Sequence, residues 1–234
     1  IRDRTNIISE LSSILVLFFF LPKNLTIKKQ DLAFNKGYAK EAMNISIPST
    51  ASRLIGSFGY FLEPIILTNA LTYVGYSSNF IVTEYGVISG FVMPLLLLPS
   101  FFTMAISQAL LPIISKATSS KHYDYAKKKL RQAIGISLLI GVPASTLLAI
   151  FPEFFLGLIY NTHEGVAYMR FLAPICILQY IQAPLSACLD AMGLTKLGLK
   201  ATIIGTLIRT IFLLIFSLLK IGMWGLIFST SLNV

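Results

Sequence analysis

The sequence predicts an all-α polytopic membrane protein, and three observations carry that prediction. Of its 234 residues 55% are hydrophobic and 12% are charged, whereas soluble domains carry about 25% charged residues; the mean hydropathy is +0.76. The apolar residues gather into long runs broken by short charged stretches, and about 20 apolar residues in a helix cross a hydrocarbon core about 30 Å thick. The runs carry Leu, Ile, Phe, Gly and Ala without the every-second-residue alternation that barrel strands need.

Taken in order, the runs place membrane segments near residues 5–21, 42–70, 85–114, 131–151, 167–190, 201–219 and 222–234. The sequence begins at Ile1 and stops at Val234 inside an apolar run that starts near Ile221, so it reads as a fragment of a longer polytopic protein. The first break, Leu21–Glu41, holds Lys23, Lys28, Lys29, Lys36 and Lys40. Ser115–Arg131 holds Lys116, Lys121, Lys127, Lys128, Lys129 and Arg131, and Gly193–Lys200 holds Lys196 and Lys200. The intervening Thr72–Glu84 has no basic residue, and Phe151–Arg170 sets Arg170 against Glu153 and Glu164. Lys/Arg excess marks cytoplasmic loops, so the lysine-rich breaks are cytoplasmic and the others external. The net charge of +9 is thus topological. No nucleic-acid motif accompanies it, and no nucleic-acid partner is expected.

The 42–70 segment carries Arg53, and ten residues on Glu63, followed directly by Pro64. A charged side chain at mid-membrane costs about 2.5–3.5 kcal/mol on insertion scales, so Arg53 faces protein or a water-filled cavity. It either binds an anionic group with its planar fork of donors or snorkels to the cytoplasmic face. At about 1.5 Å per residue the two groups are about 15 Å apart and do not pair within a regular helix. Glu63 either binds a coupling cation or marks the external end of its span, the latter being the expected place. Gly56 and Gly59 between them permit close helix packing.

The 85–114 segment has no charge but contains Pro94, Pro99 and Pro112. Proline removes an intrahelical hydrogen bond, and in lipid only protein or cavity water satisfies the freed carbonyl. The segment therefore reads as one bent wall of a bundle. Gln108 on it, like Gln179 and Gln182 later, hydrogen-bonds across helices or joins a site. In KHYDYAKKKLRQAI (121–134), Tyr125, Leu130 and Ile134 share a face, which suits a helix at the headgroup level before the next span. Cys176 and Cys188 share a span and stand about 18 Å apart along it, beyond disulfide reach. Arg209 lies near the middle of its span at the same cost as Arg53, and it meets substrate, a neighbouring helix or the path of a lipid headgroup. His122 and His163 have no second ligand at metal spacing. Phosphate-loop and nucleophile-elbow motifs are absent. No catalytic residue, cofactor or metal site is expected, and an enzyme is disfavoured.

IPSTASRLIGSFGYFLEPIIL, YGVISGFVMPLLLLPSFFTMAISQALLPIISKA, the lysine-rich KHYDYAKKKLRQAI and LAPICILQYIQAPLSACLDAMGLTKLGLKATIIG together resemble the stage V sporulation protein B group of polysaccharide-biosynthesis flippases. That group belongs to the superfamily of multidrug and toxin extruders and the lipid II flippase. The resemblance implies a two-lobed helical bundle. Residues 1–21 would be the last helix of the first lobe, 22–41 a cytoplasmic linker and 42–234 the second lobe. It implies a multi-pass protein of the bacterial cytoplasmic membrane, with no catalytic chemistry of its own. It would move a lipid-linked saccharide precursor, peptidoglycan lipid II-like and for spore cortex synthesis, by alternating access. Arg53 matches a Ser-Arg pair of the sporulation group. The lipid II flippase has an arginine early in its eighth helix, and Tyr85–Gly90 has none.

On this reading Arg53, Arg209 and Gln108 bind substrate, Glu63 couples an ion, and Pro64, Pro94, Pro99 and Pro112 act as hinges. The expected partners are the lipid-linked saccharide, membrane lipids, a coupling cation and the other lobe. A cation-coupled drug exporter of the same architecture and a non-transporting scaffold for cell-wall synthesis are the alternatives.

Overall fold

The structure, a computed structural model, describes Ser12, Val16 and residues 36–233. Of the expected span near 5–21 only Ser12 and Val16 are described, both helical, and residues 22–35 of the expected linker lie outside the described residues. The chain divides into two compact units, Ile1–Ala42 and Met43–Val234, and the second carries the helical bundle.

The helices are α1 (Lys36–Val74), α2 (Ser78–Val87), a π-helical segment (Ile88–Val92), α3 (Met93–Leu97), α4 (Ser100–Ser119), α5 (Tyr123–Ile150), α6 (Pro152–Tyr160), α7 (Val166–Ala191), α8 (Thr195–Leu218) and α9 (Trp224–Asn233). Among the described residues six helices are long and apolar enough to cross a membrane, and the chain is a multi-pass membrane protein. Its outward faces stay apolar, as lipid requires: Leu54, Phe58, Phe61, Val82, Phe101 and Leu139 are all exposed.

Helix α1 begins inside the expected linker and runs four residues past its expected end at residue 70. Pro48 and Pro64 lie within it and do not stop it, because in a bundle neighbouring groups satisfy the backbone that proline frees. The expected terminal position for Glu63 is therefore corrected. Helix continues beyond it to Val74, and Glu63 is 9% exposed.

The proline-broken wall is longer than its uncharged stretch and starts at Ser78, with Ser77 accepting from the Phe80 amide as N-cap. Glu84 does not end it. The Tyr168 hydroxyl donates to the Glu84 carboxylate at 2.7 Å. The Met93 amide donates to the Ile88 carbonyl, five residues back, so the helix widens immediately before Pro94. At Leu98–Pro99 it tightens instead: the Leu98, Phe101 and Phe102 amides donate to carbonyls three residues back. Both residues keep right-handed helical angles, so α2 to α4 form one bent path. Contacts along α7 give its direction. Tyr168 meets Glu84, Tyr180 meets Leu96, and Cys188 and Ala191 pack on the Leu110–Ile114–Ala117 cluster. The path thus accompanies α7 from end to end in one sense.

Tyr180 is fully buried, and its hydroxyl donates to the Leu96 carbonyl at 2.8 Å, beside the kink. A backbone acceptor next to a proline break thereby gains a protein donor. Tyr180→Phe is expected to lower stability by about 1–3 kcal/mol, the cost of an unmet buried polar group. A melting temperature equal to that of the parent would contradict it.

The expected amphipathic helix at 121–134 is not separate; it forms the first turns of α5. Its buried face is also different. Ala126 and Ala133 pack against α4 with Leu130 beside them, whereas Tyr125 is exposed, with the Lys129 ammonium 5.5 Å from its ring centre. Small residues let the two backbones approach, which an apolar count of larger side chains overlooks. The expected external loop after α5 contains α6, opened by Pro152 and closed by Asn161 at φ 52°.

The main core joins the C-terminal half of α1 (Leu67, Leu71), the bent wall (Ile81, Val92, Leu96), α7 (Met169, Tyr180), α8 (Leu213) and α9 (Ile227). Helices α1 and α8 run parallel: Ser52 meets Thr202 at 2.7 Å, and Glu63 meets Arg209. At their far ends the Tyr76 hydroxyl donates to the Lys220 carbonyl at 2.8 Å.

Candidate functional site

A cavity of about 640 Å³ opens between α1, α7 and α8, with Asn233 of α9 also lining it, beside Gly205. Its α1 wall is a helical stripe of Ser49, Ser52, Arg53, Gly56, Gly59, Tyr60 and Glu63, the three-and-four spacing that puts residues on one face. Thr195, Thr202, Thr206 and Arg209 form the facing stripe on α8, and Gln182, Ser186 and Asp190 line the α7 side. Small and hydroxylated residues in these positions keep the space open while leaving its walls polar.

The seam between α1 and α8 is held at three levels. Ser52 and Thr202 share a hydroxyl–hydroxyl hydrogen bond of 2.7 Å. About two turns on along α1, a Cβ added at Gly59 would sit 2.6 Å from the Thr206 methyl, so only glycine allows this approach. Above it, Arg209 and Glu63 form a buried ion pair, with both residues under a tenth exposed. The Arg209 guanidinium also lies 4.5 Å from the Tyr60 ring centre, a cation–π contact. The Tyr85 hydroxyl reaches Glu63 Oε1 at 3.5 Å. Pro64, directly after Glu63, has no N–H for the Tyr60 carbonyl, so the helix is weakened at the level of the ion pair.

Arg53 lies toward the lysine-rich end of the cavity, exposed, and makes no ion pair among the described residues. Asp190 lines the same end, near Thr195. A second cavity, of about 180 Å³, lies on the other side of the ion pair. Tyr60, Glu63 and Arg209 line both, and the smaller adds Tyr85, Ser89 and Thr230.

Of the residues predicted to bind substrate, Arg53 and Arg209 thus share one cavity with Glu63. Gln108 does not join them: it is exposed on α4 and absent from the walls of both cavities. Gln182, not among the residues predicted to bind substrate, lines the larger cavity. Among the proposed hinges, Pro64 adjoins the site, Pro94 and Pro99 lie at the distortions of the wall, and Pro112 sits inside α4. Arg170 is exposed near the start of α7 and pairs with Glu153 at 3.1 Å on the surface. The Ser, Thr and Tyr residues of the cavity were missed as candidates. Their signal is the recurrence of small polar residues every three or four positions inside apolar runs.

Membrane-length helices around an interior cavity with charged, hydroxyl-lined walls define a polytopic membrane protein with a polar interior. The chain belongs to the MatE family, whose model matches residues 64–215. It is 33% identical over 211 residues to stage V sporulation protein B of Bacillus subtilis (strain 168), and 29% identical over 161 residues to sporulation protein YkvU of the same organism. These matches cover 88% and 69% of the chain but only 41% and 36% of the relatives, so the chain spans well under half their length. Its fold is that of a MATE protein crystallised in the bent conformation (TM-score 0.78, 18% identity, 94% of this chain and 48% of the other). It is also that of an outward-facing multidrug resistance MATE transporter of the MOP superfamily (TM-score 0.76, 17% identity, 95% and 50%).

Proposed function

We propose that this cavity receives the anionic diphosphate headgroup of a lipid-linked saccharide precursor, peptidoglycan lipid II-like, which the protein moves across the membrane by alternating access. The observation that carries the reading is the presence of two arginines, Arg53 and Arg209, on one cavity inside apolar spans. Arginine donors match phosphate oxygens two at a time, and a charge placed within a membrane span calls for a ligand or partner. Arg53 and the Glu63–Arg209 level are about 15 Å apart along α1, more than one diphosphate bridges. The two arginines therefore act in succession, Arg53 first near the lysine-rich end and Arg209 deeper. Ser52, Thr202 and Gln182 offer hydrogen bonds to saccharide hydroxyls. Pro64, Pro94, Pro99 and Pro112 supply the bends on which alternating access turns, and Glu63, the buried carboxylate of the described residues, is where a coupling cation acts. The resemblance to stage V sporulation protein B supports a role in sporulation.

Arg53→Ala is expected to reduce translocation of labelled lipid-linked precursor at least about tenfold, as loss of one partner of a desolvated charge contact does, with membrane insertion unchanged. Translocation at the parent rate would remove Arg53 from the site. The second reading, cation-coupled export of cationic drugs, is favoured by Asp190 at the cavity mouth. Transport of a lipophilic cation that depends on Asp190 but not on Arg53 would select it.

A further inference from the structure

Arg209 is 8% exposed and already neutralised by Glu63, yet its buried Nε–H has no acceptor. A guanidinium carries five N–H donors in a flat fork, and one carboxylate uses only part of it. The Tyr60 ring lies beneath the same cation, its centre 4.5 Å from the guanidinium carbon. This cation–π contact holds the cation in place whichever anion meets it. The Glu63 carboxylate stands at the border of two cavities, with Arg209 on one side and the Tyr85 hydroxyl at 3.5 Å. The smaller cavity, lined also by Ser89 and Thr230, gives a displaced carboxylate polar surroundings.

We infer that Glu63 is a tethered competitor for the substrate's anion. Its carboxylate occupies the Arg209 site while the cavity is empty, and an incoming phosphate takes its place. The inference rests on the headgroup reading above and adds to it a rule for specificity. Carboxylate and phosphate present the same paired oxygens to an arginine fork. A neutral saccharide has nothing with which to displace Glu63; a diphosphate carries more charge than the carboxylate it replaces. Because Glu63 belongs to α1 and Arg209 to α8, the exchange also releases the ion pair between those helices, leaving the Ser52–Thr202 bond, the Gly59–Thr206 contact and the Tyr60–Arg209 contact. Recognition of the right charge and loosening of the cavity wall become the same event.

A competitor lowers apparent affinity by the fraction of time it occupies the site, and its removal returns that factor. The test is titration of farnesyl diphosphate onto the purified protein in nanodiscs, by calorimetry. Glu63→Gln is expected to bind the probe about tenfold tighter than the parent, the gain for a site blocked about nine-tenths of the time. Adding Arg209→Gln should abolish the gain. Inorganic pyrophosphate should compete with the probe and farnesol should not, which separates headgroup from tail. Glu63→Asp, with a shorter carboxylate, should give a smaller gain and serves if Glu63→Gln does not fold. Parent binding that needs Arg53, with equal or weaker binding by both Glu63 variants, overturns the tether and leaves the headgroup reading standing. Absence of binding by parent and variants overturns both. A protein that unfolds with both Glu63 variants has a purely structural pair, which also ends the idea.

Discussion

Arg209→Leu is expected to destabilise the protein by about 3–5 kcal/mol, the cost of removing one partner of a buried ion pair. Glu63 is 9% exposed, and without Arg209 its nearest polar partner is the Tyr85 hydroxyl at 3.5 Å, which is too long to replace a guanidinium. The carboxylate is left buried and uncompensated. Replacing both members, Glu63→Leu with Arg209→Leu, should restore most of the loss, because an apolar pair of similar volume carries no desolvation penalty. Thermal melting in detergent separates the cases. Equal damage from the single and double changes would mean that the guanidinium acts through its packing on Tyr60 and not through charge. The double variant should also be silent in transport, since the second arginine station has gone; recovery of stability without recovery of activity is the signature expected of a site residue.

That pair also shows where the sequence stops being informative. Arg53, Glu63 and Arg209 each stand out in an apolar run because charge in a membrane is costly. Their partners do not. Glu63 and Arg209 are 146 positions apart, and a uniformly apolar helix has too little amphipathic contrast to reveal which face it turns inward. The same lack of phase placed Gln108 in the site and Gln182 outside it, the reverse of what the structure places along the cavity. Hydroxyl and glycine stripes carry the missing phase: Ser49, Ser52, Gly56 and Gly59 mark the inward face of α1, as Thr195, Thr202 and Thr206 mark that of α8.

Span existence was legible because hydropathy reports it directly; span ends were less so. Glu84 reads as a boundary, but the helix starts at Ser78 because Tyr168 provides the carboxylate with a hydrogen bond. The prolines of the bent wall announce a distortion without its kind. A five-residue hydrogen bond before Pro94 and three-residue bonds around Pro99 are local compromises between a missing N–H and the neighbours that fill in for it. Tyr180, one such neighbour, is 84 positions from the carbonyl it serves. A single sequence holds no record of that contact.

Gly59→Leu is expected to abolish transport, with a loss of at least about tenfold for each 1.4 kcal/mol by which the seam is disrupted. Even the first carbon of a side chain at this position would lie 2.6 Å from the Thr206 methyl, closer than atoms pack. Thr206 has little freedom to yield: it is β-branched and stiff at χ1, and its carbonyl accepts from the Thr210 hydroxyl at 2.8 Å. Helix α1 must therefore move away from α8. Tyr60 follows Gly59 directly and Glu63 lies one turn on, and both hold the Arg209 cation, so a shift at Gly59 reaches them directly. Overpacking of this kind costs about 1–3 kcal/mol, and here that cost falls on the charge site. A size-compensating pair isolates the cause. Gly59→Ala should impair transport, and Thr206→Ser, which deletes the offending methyl and keeps the hydroxyl, should restore it in the double variant. Coupling between the two changes is then opposite in sign to their separate effects, as expected for residues in contact. Additive losses would place the damage somewhere other than the α1–α8 seam.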